Sequence, residues 1–422
     1  MQLKLDSPSK KRAVALIAFA CAGLYIAVSC CLLAAAWCSN TADIAHLRWA
    51  IRLDPLNADY HHLLGRYDDL VLNDPAAAQA QYLRALALNP HDARYWLDLA
   101  NTYQLLGDSS AQSNAIERAI VADPRKPDVA WEAANLYLVR GQTEKALAQF
   151  RLVMEGAPVR SSQALTLCWR IDPDVDHLLA TVIPNQPDAY LALLTQVMDK
   201  DDTDATVKVW NAMVRSRQSV ELGNVFELVR FLVLHKAVDQ AHLVWRQAAS
   251  LLGLSSYLPS SNNLIVNGSF SFPILNGGFD WEYQRKPGVT LTLDTNESHD
   301  GHRSLAIGFD GEIDDAGIQQ IIFVQPDTTY QFTAYYKNDP IKGVGGPHFA
   351  LQDAYTGKNY FLSEELRDGA FWKSVTGEFT TGPDTTLLKL SVPRLPAGSA
   401  IQGKLWIDDF RLEEKASPEG GL

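Results

Sequence analysis

Four prolines, Pro55, Pro90, Pro124 and Pro158, follow one another at intervals of 35, 34 and 34 residues. So regular a spacing requires a repeated structural unit. Aligned on these prolines, Ala78, Tyr82 and Ala85 fall in register with Gln112, Ile116 and Ala119 and with Ala146, Phe150 and Val153. The i, i+4, i+7 spacing predicts one buried helix face per unit. A second set precedes it: Trp96, Leu99, Ala100 and Tyr103 in one unit, Ala130, Ala133, Ala134 and Tyr137 in the next, each followed by a turn glycine, Gly107 or Gly141. Each unit is thus a pair of antiparallel helices, with small residues where they cross and a proline that stops the second. One such pair cannot bury its apolar face alone, so the units must stack.

This pattern resembles the tetratricopeptide repeat family most closely over 56–158. Thr41 to Pro55 reads as a second helix without its first, with Leu47 and Ala50 in register. Beyond Pro158 the repeat decays. Ala205, Val209 and Ala212, then Ala241, Trp245 and Ala248, restore the spacing and predict two further hairpins between Pro187 and Leu254. The resemblance implies a groove lined by first helices that holds an extended peptide or a partner protein. Its expected lining is Arg94, Leu97, Asn101 and Gln104, then Asp128, Trp131, Asn135 and Leu138. Asn101 and Asn135 stack one repeat apart, and a side-chain amide can pair with a peptide backbone; solvated polar positions on a helix face are the plainer reading.

Ahead of the repeats, Ala13 to Trp37 carries no formal charge over 25 residues. As a helix it reaches about 37 Å, longer than a hydrocarbon core of roughly 30 Å. A cleaved signal peptide is the rival reading, because Ala34, Ala35 and Ala36 offer small residues, but signal cores are shorter. Lys10, Lys11 and Arg12 precede the segment and Asp43 is the first charge after it, which predicts a single-pass protein with a cytoplasmic N-terminus and a periplasmic or extracellular body. Residues 1–12 sum to +3 and the rest to −15, a balance unsuited to nucleic acid. Cys21, Cys30, Cys31 and Cys38 lie in or beside the apolar segment, leaving only Cys168 in the body and no zinc-type pair.

At Asn263 the composition changes. NLIVNGSFSFPILNGGFDW, and then LTLD, SLAIGF, QQIIFV, YQFTAYYK, HFALQ, SVTGEFTT, LLKLSV and LWIDDFRL, are short alternating runs between Gly- and Pro-rich turns, which predicts an all-β sandwich. The phrases NLIVNGSF, HDGHRSLAI, VQPDTTYQFTAYYK, GAFWKSVTGEFTTGPDTT and GKLWIDDFRL resemble, in order, the carbohydrate-binding modules of families four and nine. The fold expected of the whole chain is therefore a transmembrane helix, an α-α superhelix of tetratricopeptide-like repeats and a jelly-roll sandwich. The expected segments are a basic tail (1–12), the membrane helix (13–37), repeats (41–254), sandwich (262–415) and a short tail (416–422), with NLIVNGSF as the first strand.

Sugar sites pair aromatic faces with polar side chains that order hydroxyls. Alternation puts Tyr330, Phe332, Ala334 and Tyr336 in the core and Thr333, Tyr335 and Lys337 on the opposite face, making Tyr335 the stacking candidate. His348 and Gln352 on one strand, and Lys389 and Ser391 on another, are expected to share that face; Trp281 and Trp372 read as structural. In LWIDDFRL alternation puts Trp406, Asp408, Phe410 and Leu412 on one face. The resemblance implies a structural calcium ion, with Asp408 as a ligand, beside an acid whose place is taken here by Ser271. Capping of Asp408 by backbone N–H groups or by Arg303 is the alternative. His299, Asp300 and His302 read as a turn, and Asp310, Glu312 and Asp314 as a solvated strand end. No P-loop, GxSxG or HExxH occurs. The resulting expectation is a non-enzymatic, membrane-anchored scaffold that recruits proteins through its repeats and binds polysaccharide through its sandwich, in cell-surface glycan assembly or export. The alternatives are a pure protein scaffold with a structural sandwich, or a glycan-processing enzyme.

Overall fold

The computed structural model describes residues 8–40, 43–367 and 369–415. Lys4, Asp6, Thr41 and the 416–422 tail lie outside the described residues. The chain forms two compact units, 1–196 and 197–422.

The first unit begins with α1 (Pro8–Ser39), the one helix among the described residues long and apolar enough to cross a membrane. Then come α2 (Ile44–Leu53), α3 (Ala58–Leu70), α4 (Pro75–Leu88), α5 (Ala93–Leu106), α6 (Ser109–Ala122), α7 (Pro127–Val139) and α8 (Thr143–Gly156). Side chains of Asp43, Asn57, Asp74, Asp92 and Asp108 each accept a backbone N–H in the first turn that follows, which sets these helix starts. Ala78, Tyr82, Ala85, Ile116, Ala119, Phe150 and Val153 are fully buried, as the 34-residue register requires. The decayed stretch after Pro158 still folds as a pair, α9 (Ser161–Ile171) and α10 (Val175–Thr181), and α11 (Pro187–Met198) follows.

The helix missing from the first half-unit is present after all. Ala35, near the end of α1, is fully buried against Leu47 and Ala50 of α2 and Tyr60 and Leu64 of α3, with Cys38 beside them. The last turns of the apolar helix therefore serve as the first helix of the first repeat. A membrane-type composition hid this, because small Ala and Cys residues serve a helix crossing and a bilayer equally well.

The second unit holds α12 (Thr203–Arg215), α13 (Leu222–Leu234) and α14 (Val238–Leu252), followed, among the described residues, by twelve strands. β1 (Glu282–Tyr283), β4 (Asp315–Phe323), β11 (Leu387–Leu395), β8 (Ala350–Asp353) and β9 (Asn359–Leu362) form one antiparallel sheet in that order, with β7 (Gly346–Pro347) on β11. The other runs β10 (Lys373–Thr380), β5 (Thr329–Asn338), β12 (Ala400–Glu414), β3 (Ser304–Glu312), β2 (Val289–Asp294), with β6 (Lys342–Gly343) on β12. Between them lie Phe270, Trp281, Phe332, Phe349, Leu390 and Phe410, all fully buried. The YQFTAYYK register holds, with Tyr330, Phe332, Ala334 and Tyr336 facing the core.

Two expectations fail. NLIVNGSF is not a regular strand: Asn267 and Phe270 take left-handed φ values of 49°. Side chains hold the segment instead, for Gln320 accepts the Val266 N–H and donates to the Val266 carbonyl, while Asn263 caps Phe410 and Leu412. In β12 alternation breaks at a bulge between Asp408 and Arg411, with Asp409 at φ 48°. An extra residue flips the parity, so Leu405 and Ile407 face the core before the bulge and Phe410 and Leu412 after it, while Trp406 faces outward.

The last helices dock on the sandwich. The Trp245 indole N–H donates to the Tyr257 carbonyl at 3.0 Å, and the Tyr355 hydroxyl to the Val233 carbonyl at 2.7 Å. His242 of α14 stacks on Phe323, centroids 4.7 Å apart, on the outer face of the β4 sheet. A Cβ on Gly277 would lie 2.6 Å from Phe226, and one on Gly278 2.5 Å from Trp245. Only glycine permits so close an approach, and Gly278 also needs it for a φ of +70°.

Candidate functional site

The outer face of the β4 sheet is divided along its length. Phe323, which pairs with Leu387 across the strands, lies where His242 of α14 packs. The remainder is an open polar cleft of about 440 Å³. Its floor is Gln319 of β4, Lys389 and Ser391 of β11 and Gln352 of β8; Glu282, Tyr283 and Lys286 border it, and Arg230 of α13 also lines it. Register fixes the floor: Gln319 pairs with Glu282 on one side and Ser391 on the other, while Lys389 pairs with Ile321 and Gln352. Gln352 donates to Asn359 at 2.6 Å, and Lys286 forms an ion pair with Asp315. Amides, a hydroxyl, charged groups and one half-exposed tyrosine suit a polyhydroxylated ligand.

Two expected residues, Gln352 and Lys389, therefore meet in this cleft, with Ser391. They do not share a face with Tyr335, because β5 belongs to the opposite sheet. His348 lies near the floor strands but turns its ring to the Ser363 carbonyl at 2.9 Å. Thr333, Tyr335 and Lys337 do form one outward row, as alternation requires, but the 295–303 connection packs onto it. His299 stacks on the Tyr335 ring at 3.5 Å, Trp372 sits edge-on to His299, and Lys337 pairs with Glu297 at 2.7 Å. Nearby, Trp406 lies under Lys337 and Lys404 and donates its indole N–H to Asp294, holding that carboxyl down at about 2. A ring already covered on one face is a poor sugar platform. Arg230, Glu282 and Gln319 escaped sequence reasoning; Gln319 had the right strand parity, whereas nothing in α13 marks Arg230.

In the first unit a cleft of about 520 Å³ gathers Arg94, Leu97, Asp128 and Trp131 with Lys126, Glu132 and Arg160. Arg94 bonds Asp92 at 2.6 Å and Asp59 at 3.1 Å, and Arg160 pairs with Asp128 at 2.8 Å. Burial, then the charges of Asp98 and Asp128, raise the Glu132 carboxyl above its usual range. Asn101, Gln104 and Asn135 do not line this cleft. Gln104 accepts from Gln112, and the Asn135 amide donates to the Trp131 carbonyl of its own helix.

Residues 262–394 match the family model of a carbohydrate-binding domain. The chain thus joins tetratricopeptide-like helical hairpins to a carbohydrate-binding-module-like sandwich. Similar solved structures include one described as CBM4 structure and function, at 21% identity over 36% of this chain and 99% of that one, TM-score 0.27. A CBM22-1 xylan-binding domain from Paenibacillus barcinonensis Xyn10C matches at 16% over 36% and 94%, TM-score 0.26. MamA protein matches at 17% over 45% and 92%, TM-score 0.29. No curated protein matches the chain.

The calcium ion implied for such a sandwich does not suit the residues present. The Asp408 carboxylate, fully buried, already accepts the N–H groups of His299 at 2.7 Å, Asp300 at 3.1 Å and Asp409 at 2.8 Å. Arg303 does not reach it but donates to the Phe270 and Ser271 carbonyls at 2.6 and 2.5 Å, placing a fixed positive charge at the Ser271 position where the resemblance implies an acid. Burial pushes the Asp408 carboxyl up to about 6, opposed by those N–H groups. This arrangement is internal capping, one of the two readings of the sequence.

Proposed function

We propose that this chain is a membrane-anchored binding protein in which the cleft of the β4 sheet holds polysaccharide and the helical hairpins recruit protein partners, in the assembly or export of cell-surface glycan. One observation carries the reading: an open polar cleft lined by amides and charged side chains lies on the domain whose sequence matches a carbohydrate-binding family. Both recognised parts are of non-catalytic kinds, which favours binding over turnover. The apolar α1 acts as a retained anchor, because cleavage near Ala36 would strip Ala35 from Leu47, Ala50, Tyr60 and Leu64. Lys10, Lys11 and Arg12 then keep the N-terminus inside and the body outside. The test is a glycan array with the full chain in lipid nanodiscs. Binding that weakens in Gln352→Ala and Ser391→Ala supports the reading; an array without a single bound glycan sinks it.

A second reading has its own observation. Trp245, His242 and Phe226 pack directly on the sandwich, so the sandwich can serve as the cap that a helical stack needs at its end. An empty array from a chain whose helices remain docked would favour that role.

A further inference from the structure

The charges in the cleft are unevenly committed. Lys286 is held by Asp315, and Glu282 shares its carboxylate with the Gln319 amide. Among the described residues, Arg230 and Lys389 have no ion pair or side-chain hydrogen bond, although both line the same cleft. The acids stand apart from Lys389. Asp315 pairs with Pro393, four residues and about 13 Å along β11, and Glu282 lies two strands away across the sheet. Asp314 sits beside Asp315, at the turn into β4. One end of the cleft is therefore acidic and neutralised in part, while Lys389 stands in the middle of the floor with a free ammonium.

We propose that the cleft takes an anionic polysaccharide bearing carboxylates, and that Arg230 of α13 and Lys389 of β11 are the pair that recognise its charge. The inference rests on the reading of this cleft as a glycan site. A guanidinium presents two parallel N–H donors to one carboxylate, and an ammonium adds a second point charge without a fixed geometry. A chain with a formal charge of −12 repels a polyanion at long range, so local cations must supply the attraction. Arg230 lies outside the 262–394 match. The last helical hairpin thus completes a site that the sandwich alone would leave without one of its two uncommitted cations, and glycan occupancy is tied to the docking of α13.

The experiment titrates the full chain, in nanodiscs of zwitterionic lipid, with polygalacturonate oligomers, with the same oligomers methyl-esterified, and with neutral xylan oligomers. Binding of the acidic form, weakened about tenfold by esterification and by Arg230→Gln or Lys389→Gln, is the expected result. Arg230→Lys keeps the charge but loses the fork, and falls between wild type and Arg230→Gln. Added salt weakens the wild type more than either glutamine variant. If esterified or xylan oligomers bind as tightly as the acid, the inference fails while the glycan reading stands. If none of the three binds and the array is also empty, both fall together.

Discussion

The docking of the last hairpin on the sandwich can be tested at Gly278. Replacing it with alanine puts a Cβ 2.5 Å from the Trp245 ring, which is fully buried and cannot swing away. Two costs follow. A non-glycine residue at φ +70° loses roughly 1–2 kcal/mol from left-handed backbone alone. Overpacking against a fixed ring adds about 1–3 kcal/mol. Trp245→Ala by itself removes a large core side chain and costs about 3–5 kcal/mol. In that background the alanine at 278 meets no ring, so only the backbone cost remains. The double-mutant cycle should therefore show a coupling of about 1–3 kcal/mol, with Gly278→Ala less harmful when Trp245 is absent. Urea unfolding followed by far-ultraviolet circular dichroism measures it without relying on tryptophan emission. Equal costs in the two backgrounds would refute the contact and the docking built on it.

Burial pushes the Asp280 carboxyl up to about 6 from 3.8, so its folded form is the better proton acceptor. Its contribution is greatest below about 3.8 and is lost as pH rises through about 6, a change of at most about 3 kcal/mol. Asp280→Asn should therefore raise the melting temperature at pH 7.5 more than at pH 4.5; a uniform shift would contradict the burial argument. Tyr335→Ala should leave glycan titration unchanged, since His299 covers that ring, whereas Phe332→Ala should cost about 3–5 kcal/mol of folding energy by urea titration. A periplasmic-type reporter fused after Leu422 should be active only outside the cytoplasm, and cytoplasmic activity would reverse the orientation read from Lys10, Lys11 and Arg12.

Much of this architecture was legible because periodic burial writes itself into sequence. The 34-residue register named Tyr82, Ile116 and Phe150, and strand parity named Phe332 and Ala334; all are buried. What escaped depends on single residues that break a period. The β12 bulge needs a left-handed Asp409, and no glycine there announces it. NLIVNGSF alternates like a strand yet is bent by Asn267 and Phe270 and held by Gln320, whose buried amide reads locally as a polar interruption. The candidate cleft was half legible: Gln352 and Lys389 followed from parity, but their separation from Tyr335 depends on which strand joins which sheet, and Arg230 arrives from a helix outside the sandwich pattern.

Hydrogen–deuterium exchange of the full chain with and without its bound polysaccharide tests the central claim, that glycan sits in the cleft between α13 and the β4 sheet. Protection should appear in peptides covering 317–321, 387–393 and 226–234, and leave 331–337 unchanged. Protection confined to 331–337, with the cleft peptides exchanging as in the free protein, would place the ligand on the opposite sheet and contradict the account.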